Sequence, residues 1–437
     1  MKPNNLLPDR NSYLLLYGLI QSFIGNFLDI IKKSTYLINR EQSFRIGMFK
    51  SSIYAVFIGI LLISCKQGDY RKGLKENGII EIAIPKKASK IFDLDSILGK
   101  VEITKLEIPI EHYIDFVNPY NFIPFEDGYI AGDLYGARRI VKFNHDGSFQ
   151  TQILEEGEGP EMYSNVISIL EGHDKRFLIQ QSFPPGFVQT DSKFQMLERI
   201  SVLDDLRNGI YSPKHNQYVF YGGFHFHPDG NNKIHLYDTE FNKSGQQLQE
   251  PEGFHKLKFI SLRTNFSLTP EKDVLFFESY QDTVFQLNDD GSFMPKYRIK
   301  YPNKQTYDEI IQLGLEESER EYDPFRKSKV SEYFHLHRGF FECDRYIFFN
   351  ISKENITYYV IVDKMDYQNV IYTTLAVSKS GKFILPPAWT YDSNKQKLIS
   401  NMSGQNIKGF FEKDSPVLEG LEIEDEESYM VSYSFKK

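Results

Sequence analysis

From Ile79 onward the chain runs in short apolar or alternating stretches, each closed by Asp-Gly, Asn-Asp or Pro-Gly punctuation. Such spelling predicts an antiparallel all-β protein, since strands alternate their faces with a period of two and tight turns require residues that accept positive φ. Helical periodicity is nearly absent. The clearest unit joins Tyr129 to Asp133, Arg139 to Phe143, a turn at Asn144-His145-Asp146-Gly147, and Ser148 to Ile153. It reads as strand, strand, tight turn, strand, with Asp146-Gly147 supplying the positive-φ position of the hairpin.

The unit recurs. Val284 to Phe293 restates Val141 to Phe149 with the same Asp-Gly-Ser-Phe, so that Asp290-Gly291 stands where Asp146-Gly147 stands. Weaker copies are Phe187 to Phe194, Leu236 to Gly245 and Tyr359 to Tyr372. Turns near 147, 192, 244 and 291 fall about 45–52 residues apart, close to the period of four-stranded propeller blades. A longer gap before the turn near 366 holds Tyr307 to Tyr333, rich in Glu, Lys and Arg, which reads as a helical insertion between blades. With a degenerate unit from Phe383 to Met402, the count predicts a six-bladed β-propeller of four-stranded antiparallel blades with one short helical insertion. Ile79 to Ile84, Val101 to Ile108 and Tyr429 to Phe435 have no blade of their own. Pairing of the last strand with one of the first two would close the ring.

Composition agrees with strands, because 36 Phe and 28 Tyr suit pleated, half-buried surfaces. A net charge of −8 argues against nucleic acid as a partner, whose phosphates reward clustered Lys and Arg.

Ahead of the β region, Ile53 to Ile63 is an apolar run that ends in Leu62-Ile63-Ser64-Cys65 and turns polar at Lys66-Gln67-Gly68-Asp69. A short apolar segment with a positive residue before it and a small residue at its end is an export signal, too short for a spanning helix. Leu-x-Ser-Cys resembles the lipobox, whose cysteine is acylated and becomes the first mature residue, which makes Cys65 the expected lipidation site. Read from Met48, Lys50 supplies the positive region. The expected organisation is therefore 1–47 as an upstream extension, 48–64 as signal peptide, 65–78 as linker and 79–437 as propeller. The rival reading of Tyr13 to Ile31 as a membrane helix is interrupted by Gln21, Asn26 and Asp29, and a central Asp costs about 2.5–3.5 kcal/mol on insertion scales. The expected location is the cell envelope, anchored in the outer membrane through the lipid.

Candidate chemistry is sparse. Gly157-x-Gly159-Pro160 lacks the third glycine of a dinucleotide fingerprint, since position 162 is Met, and reads as a structural loop between blades. His225 and His227, like His335 and His337, are spaced to share one strand face, which is ligand-like. No third ligand is fixed by spacing, so blade or loop histidines are the plainer reading. Cys343, among Phe340, Phe341, Tyr346 and Ile347, reads as a buried structural thiol. Glu422 to Glu427 reads as a solvated approach to the final strand.

Phe143-Asn144-His145-Asp146-Gly147-Ser148-Phe149, followed by Gly157-Glu158-Gly159-Pro160-Glu161-Met162-Tyr163, resembles the six-bladed β-propeller lipoproteins of Bacteroidetes, an NHL- or TolB-like propeller family. That family carries Phe-Asp-x-x-Gly-x-Phe and then Gly-x-Gly-Pro-Gly-Glu-Tyr; Glu161 and Met162 depart from it. The resemblance implies a lipid-anchored propeller with no established catalytic residues. The function expected is binding of a glycan, a peptide or an envelope protein, without catalysis and with no required cofactor. The alternative is a calcium-assisted hydrolase or lyase of the lactonase-like propeller type, whose metal would be held at the axis by acids such as Asp133 and Glu278. A scaffold subunit beside an outer-membrane transporter is a third class, expected to show a large apolar patch.

Overall fold

The computed structural model describes residues 75–76, 78–109, 122–133, 139–152, 166–182, 185–202, 206–222, 232–250, 266–303, 305–318, 329–387 and 390–436. Met48, Cys65, Gly157, Gly159, Pro160, Tyr163, His225 and His227 lie outside them. Four strands open the described chain: β1 (Lys75–Glu76), β2 (Ile79–Ala83), β3 (Phe92–Asp93) and β4 (Leu98–Leu106). Blade one is β5 (Phe122–Phe125), β6 (Gly128–Asp133), β7 (Arg139–Asn144) and β8 (Phe149–Gln152). Blade two is β9 (Val166–Glu171), β10 (Phe177–Ser182), β11 (Pro185–Thr190) and β12 (Met196–Ser201). Blade three is β13 (Leu206–Ser212), β14 (Gln217–Gly222), β15 (Asn232–Tyr237) and β16 (Lys243–Gln249). Blade four is β17 (Phe266–Leu268), β18 (Val274–Phe276), β19 (Thr283–Leu287) and β20 (Phe293–Lys300), followed by helix α1 (Tyr307–Ser318). Blade five is β21 (His335–Glu342), β22 (Tyr346–Lys353), β23 (Ile356–Asp363) and β24 (Asp366–Thr373). Then come β25 (Ala376–Ser378), β26 (Phe383–Ile384), β27 (Thr390–Asp392), β28 (Lys397–Ser403), helix α2 (Gly404–Phe410) and β29 (Ser428–Phe435).

These strands form seven sheets, so the expected six blades are corrected to seven, one of them reduced to the three short strands β26-β25-β3. The degenerate unit from Phe383 to Met402 is the reason. Its first residues, β26, join that small sheet, while β27 and β28 belong to the closing sheet β27-β28-β29-β4. The one helix expected is joined by a second, α2, whose start is fixed by the Ser403 hydroxyl accepting from the Asn406 amide.

Apolar residues on both faces of each blade pack against the next, and the first strands of neighbouring blades lie side by side toward the middle. Phe125, Ile130 and Ile140 meet Ile169, Phe177 and Val188 between blades one and two. Leu106, Ile399 and Met430 of the closing sheet meet Tyr129, Val141 and Phe143 of blade one. The core is thus distributed between sheets, which is why strand runs here read as apolar on both faces.

Closure is made by β29, which runs antiparallel to β28 from Ser428↔Ser403 to Ser434↔Lys397 and to β4 from Ser428↔Leu106 to Phe435↔Leu98. Val101 to Ile108 is therefore the partner of the last strand. Ile79 to Ile84 does something else: β2 adds in parallel to the outer edge of β20, in register from Ile80↔Tyr297 to Ala83↔Lys300. The chain then passes blade five, where Ser89 bridges Thr373, and pairs β3 in parallel with β25 before entering the closing sheet. Edges that would otherwise present unpaired amides are covered in succession.

The 3–4 hairpins of blades one to four share one turn. In blades one and four, Asn144 and Asn288 accept from the amides of Gly147 (φ 86°) and Gly291 (φ 81°), and Asp146 and Asp290 each accept from the amide and hydroxyl of Ser148 and Ser292. Blades two and three place Phe194 and Phe241, both at φ 62°, in the glycine position. Their rings stack on Phe177 and Tyr218 at 4.4 and 4.9 Å, which offsets the backbone strain. The third-blade turn is thus at Asp238–Asn242, not near 244 as the sequence suggested, and the turn position recurs at 147, 194, 241 and 291. A Cβ on Gly147 would come within 2.0 Å of the Lys105 carbonyl oxygen, whereas Gly291 has nothing within 4 Å. Gly291→Ala is expected to cost about 1–2 kcal/mol from positive φ alone, and Gly147→Ala clearly more. Equal urea midpoints for the two variants would refute the difference.

Candidate functional site

Strand alternation puts all 1–2 and 3–4 turns at one end of the blades, and all 2–3 and 4–1 connections at the other. The connection end carries a buried charge network between blades three and four. Tyr221 is the last residue but one of β14 and Lys233 the second of β15, on either side of one 2–3 connection; Glu278 follows β18 at the next; Tyr307 opens α1. Lys233 and Glu278 are each only 1% exposed. Lys233 Nζ donates to Glu278 Oε2 at 2.5 Å and to the Tyr307 hydroxyl at 2.9 Å, and that hydroxyl donates to Glu278 Oε2 at 2.9 Å. Glu278 Oε1 accepts from Tyr221 at 3.0 Å. Taking two charges out of water costs several kcal/mol each, and a buried pair persists when hydrogen bonds satisfy its remaining atoms, as they do here. Burial and the Glu278 carboxylate raise the Tyr221 and Tyr307 hydroxyls well above the ordinary phenol range, which keeps both as donors.

Glu250, just past β16, borders the network and is 7% exposed. Burial first, then the Glu278 carboxylate, pushes its carboxyl up to about 7 against the pull of Lys233. Its Oε1 finds no hydrogen-bond partner among the described residues. A carboxyl whose folded pKa lies above its unfolded value stabilises the fold fully below the unfolded value and loses that contribution as pH rises through the folded one. The shift from 4.5 to about 7 corresponds to ~3 kcal/mol at about 1.4 kcal/mol per pH unit. Urea midpoints should therefore rise between pH 8 and pH 5, and Glu250→Gln should flatten that slope; a variant with the wild-type slope would remove Glu250 as the source.

Beside the network, the His335 ring lies tilted against Tyr280 at 4.8 Å, and burial pushes the imidazole down and the Tyr280 phenol up to about 12. Tyr280 packs with Ile310, Ile311 and Val330, so this contact seats α1 on the blades. His337 lies 6.2 Å from His335, ring to ring. Among the described residues no three of His, Cys, Asp and Glu converge in a way that could hold a metal ion. Asp133 ends β6 and Glu278 follows β18, both second strands, so neither belongs to the innermost row that an axial metal would need. Cys343 is buried with its Sγ on the Tyr346 carbonyl, and burial pushes the thiol up to about 11. That is a structural cysteine.

The turn end is held by separate contacts. Glu342 accepts from Lys296 and Tyr297 of blade four at 2.8 Å each and pairs with Lys364 of blade five at 2.7 Å. Lys272, in the 1–2 turn of blade four, reaches Ser393 and Asn394 in that of the closing sheet. Among the network residues the sequence reading had picked out only Glu278. The signal was present, since Lys233-Ile-His-Leu-Tyr and Val-Leu-Phe-Phe-Glu278 each hold one charge in an otherwise strand-like run, and such charges are almost never fully buried unless paired. Which strand supplied the partner was not legible.

An all-β ring of antiparallel blades, closed by a strand from each end of the chain and carrying a buried ionic network at its connection end, defines a β-propeller. The chain belongs to the family described as a domain of unknown function, DUF4934, whose profile matches residues 78–429. A solved structure of a Bacteroides fragilis protein described as exported resembles it with a TM-score of 0.63 at 13% identity, over 82% of this chain and 100% of that one. A member of the DUF4221 family from Bacteroides vulgatus gives 0.45 at 9% identity over 78% and 98%. A gluconolactonase from Xanthomonas campestris gives 0.38 at 11% over 77% and 98%. At these identities the likeness is one of fold alone. No curated protein matches the chain in sequence.

Proposed function

We propose that this protein is an exported, lipid-anchored propeller of the cell envelope that binds a ligand or partner at its connection end and performs no chemistry there. Cys65 at the end of the apolar run from Ile53 supports export and anchoring in the outer membrane, with 48–64 as signal, 65–78 as linker and 79–437 as propeller. The described exported relative points the same way. No helix among the described residues is long and apolar enough to cross a membrane. The observation that carries the binding reading is the Lys233–Glu278–Tyr221–Tyr307 network. Its groups are spent on one another, tying two blades and α1 into a fixed platform. The glycan, peptide or envelope-protein class of partner is open to direct test. The purified domain should retain a partner on glycan or peptide arrays and leave lactones intact in the presence of calcium; calcium-dependent turnover with bound calcium would replace this reading by the hydrolase. Labelling with a clickable fatty acid should mark the wild-type chain and not Cys65→Ala.

A further inference from the structure

We infer that the connection end carries a proton-controlled clasp: the first turn of α1 is held on blades three and four while the Glu250 carboxyl keeps its proton, and lets go when that carboxyl ionises. The groups that face Glu250 are Lys233 on β15, Glu278 after β18, and the Tyr221 and Tyr307 hydroxyls of β14 and α1. With Glu250 neutral this set is balanced, one ammonium against one carboxylate, and Glu278 accepts from Lys233 and both tyrosines. An ionised Glu250 sets two carboxylates against that ammonium, at a place where Lys233 and Glu278 are 1% exposed and Glu250 is 7% exposed. Its Oε1, without a hydrogen-bond partner among the described residues, would then hold charge in a dry site. Admitting water or drawing Lys233 over would relieve it, and each comes at the expense of the Lys233–Tyr307 bond.

α1 is the element that can respond. β14, β15 and β18 each lie between two neighbours in their sheets, so their ladders hold them in place. Of residues 306–309, Tyr307 is the one that hydrogen-bonds to a blade among the described residues. Thr306 and Glu309 cap the helix start on each other at 3.1 and 3.2 Å, and Asp308 and Glu309 are exposed. The chain is fixed on both sides of this turn: Gln305 exchanges two hydrogen bonds with the Phe334 backbone, and Ile310 and Ile311 are buried with Tyr280 and Val330. Loosening is thereby confined to one turn, a local opening that leaves the ring intact. Since the Glu250 carboxyl is pushed up to about 7, the clasp is closed on the acid side of neutrality and released on the alkaline side. His335, packed on Tyr280 beneath α1, acts in the opposite sense, because burial favours its neutral form and that form is gained as pH rises.

A role in admitting a partner rests on the binding reading of this end. The clasp itself is tested on the full chain without a partner, so an empty binding screen sinks that reading and leaves the clasp standing. Hydrogen exchange follows the Ile310 and Ile311 amides, whose acceptors, the Thr306 and Tyr307 carbonyls, lie in the first turn. Their protection, taken relative to the intrinsic exchange rate at each pH, should fall about tenfold from pH 6 to pH 8.5. That is the part of a shift from 4.5 to about 7 that lies in this interval. Urea too dilute to unfold the ring should leave the fall unchanged, as a local opening requires. Glu250→Gln, which keeps His335 and the shape of the site, should hold the pH 6 protection at both values. Tyr307→Phe should show the low protection at both, since the hydroxyl that makes the tie is gone. A flat wild-type profile, a tenfold fall retained in Glu250→Gln, or α1 amides that follow those of Tyr129 to Ala131 in blade one as urea is raised would each overturn the clasp.

Discussion

Removal of residues 428–437 should abolish the cooperative fold. β29 is an interior strand of the closing sheet, with β28 on one side and β4 on the other, so its loss separates the amino-terminal strand from the ring and opens two edges. It also removes the buried Tyr429, Met430, Val431 and Tyr433, each of which contributes about 1.5–3 kcal/mol of burial against a total stability of only 5–15 kcal/mol for a typical domain. Because cores of successive sheets meet at the seam, Phe143 and Tyr129 of blade one lose their cover as well. Thermal unfolding of the truncated domain should show a broad transition at much lower temperature. A melting point and transition width equal to those of the intact domain would show that closure lies elsewhere.

Lys233→Ala should be the most damaging single substitution at the connection end. It leaves the Glu278 carboxylate buried without its cation, and breaking such a pair by removing one partner typically costs about 3–5 kcal/mol. Lys233→Met combined with Glu278→Gln removes both charges while keeping volume, an acceptor for one of the Tyr221 and Tyr307 hydroxyls and an amide donor to the other, and should recover most of that loss. Urea unfolding of the two variants measures this directly. If the double variant is as unstable as Lys233→Ala, the cost arises from packing of the lysine stem and the network is not an ionic latch.

The same two places show how far the sequence reaches. Alternation from Tyr429 to Phe435 identified a closing strand, and the matched flanks of Asp146-Gly147 and Asp290-Gly291 identified equivalent hairpins, because both signals are local: pleat period and positive φ are properties of a few consecutive residues. Phe194 and Phe241 in the glycine position made the same turn read as a weaker copy in blades two and three, and put it near 244 instead of 241 in the latter, since a packed ring offsets a strain that local preference assigns to glycine.

The all-β class, the repeat, the insertion at Tyr307 and the structural character of Cys343 were determined by the sequence itself, through turn residues, periodicity and apolar surroundings. Only the tertiary structure decided that Ile79 to Ala83 edges blade four, that β3 and β26 build a seventh sheet where one degenerate blade had been expected, and that Lys233 meets Glu278. Each of these depends on pairing between segments distant in the chain. An edge strand accepts any extended segment that reaches it, and a buried charge accepts any opposite charge that hydrogen-bonds it, so the choice among partners is made by the closed ring and is not written at either residue.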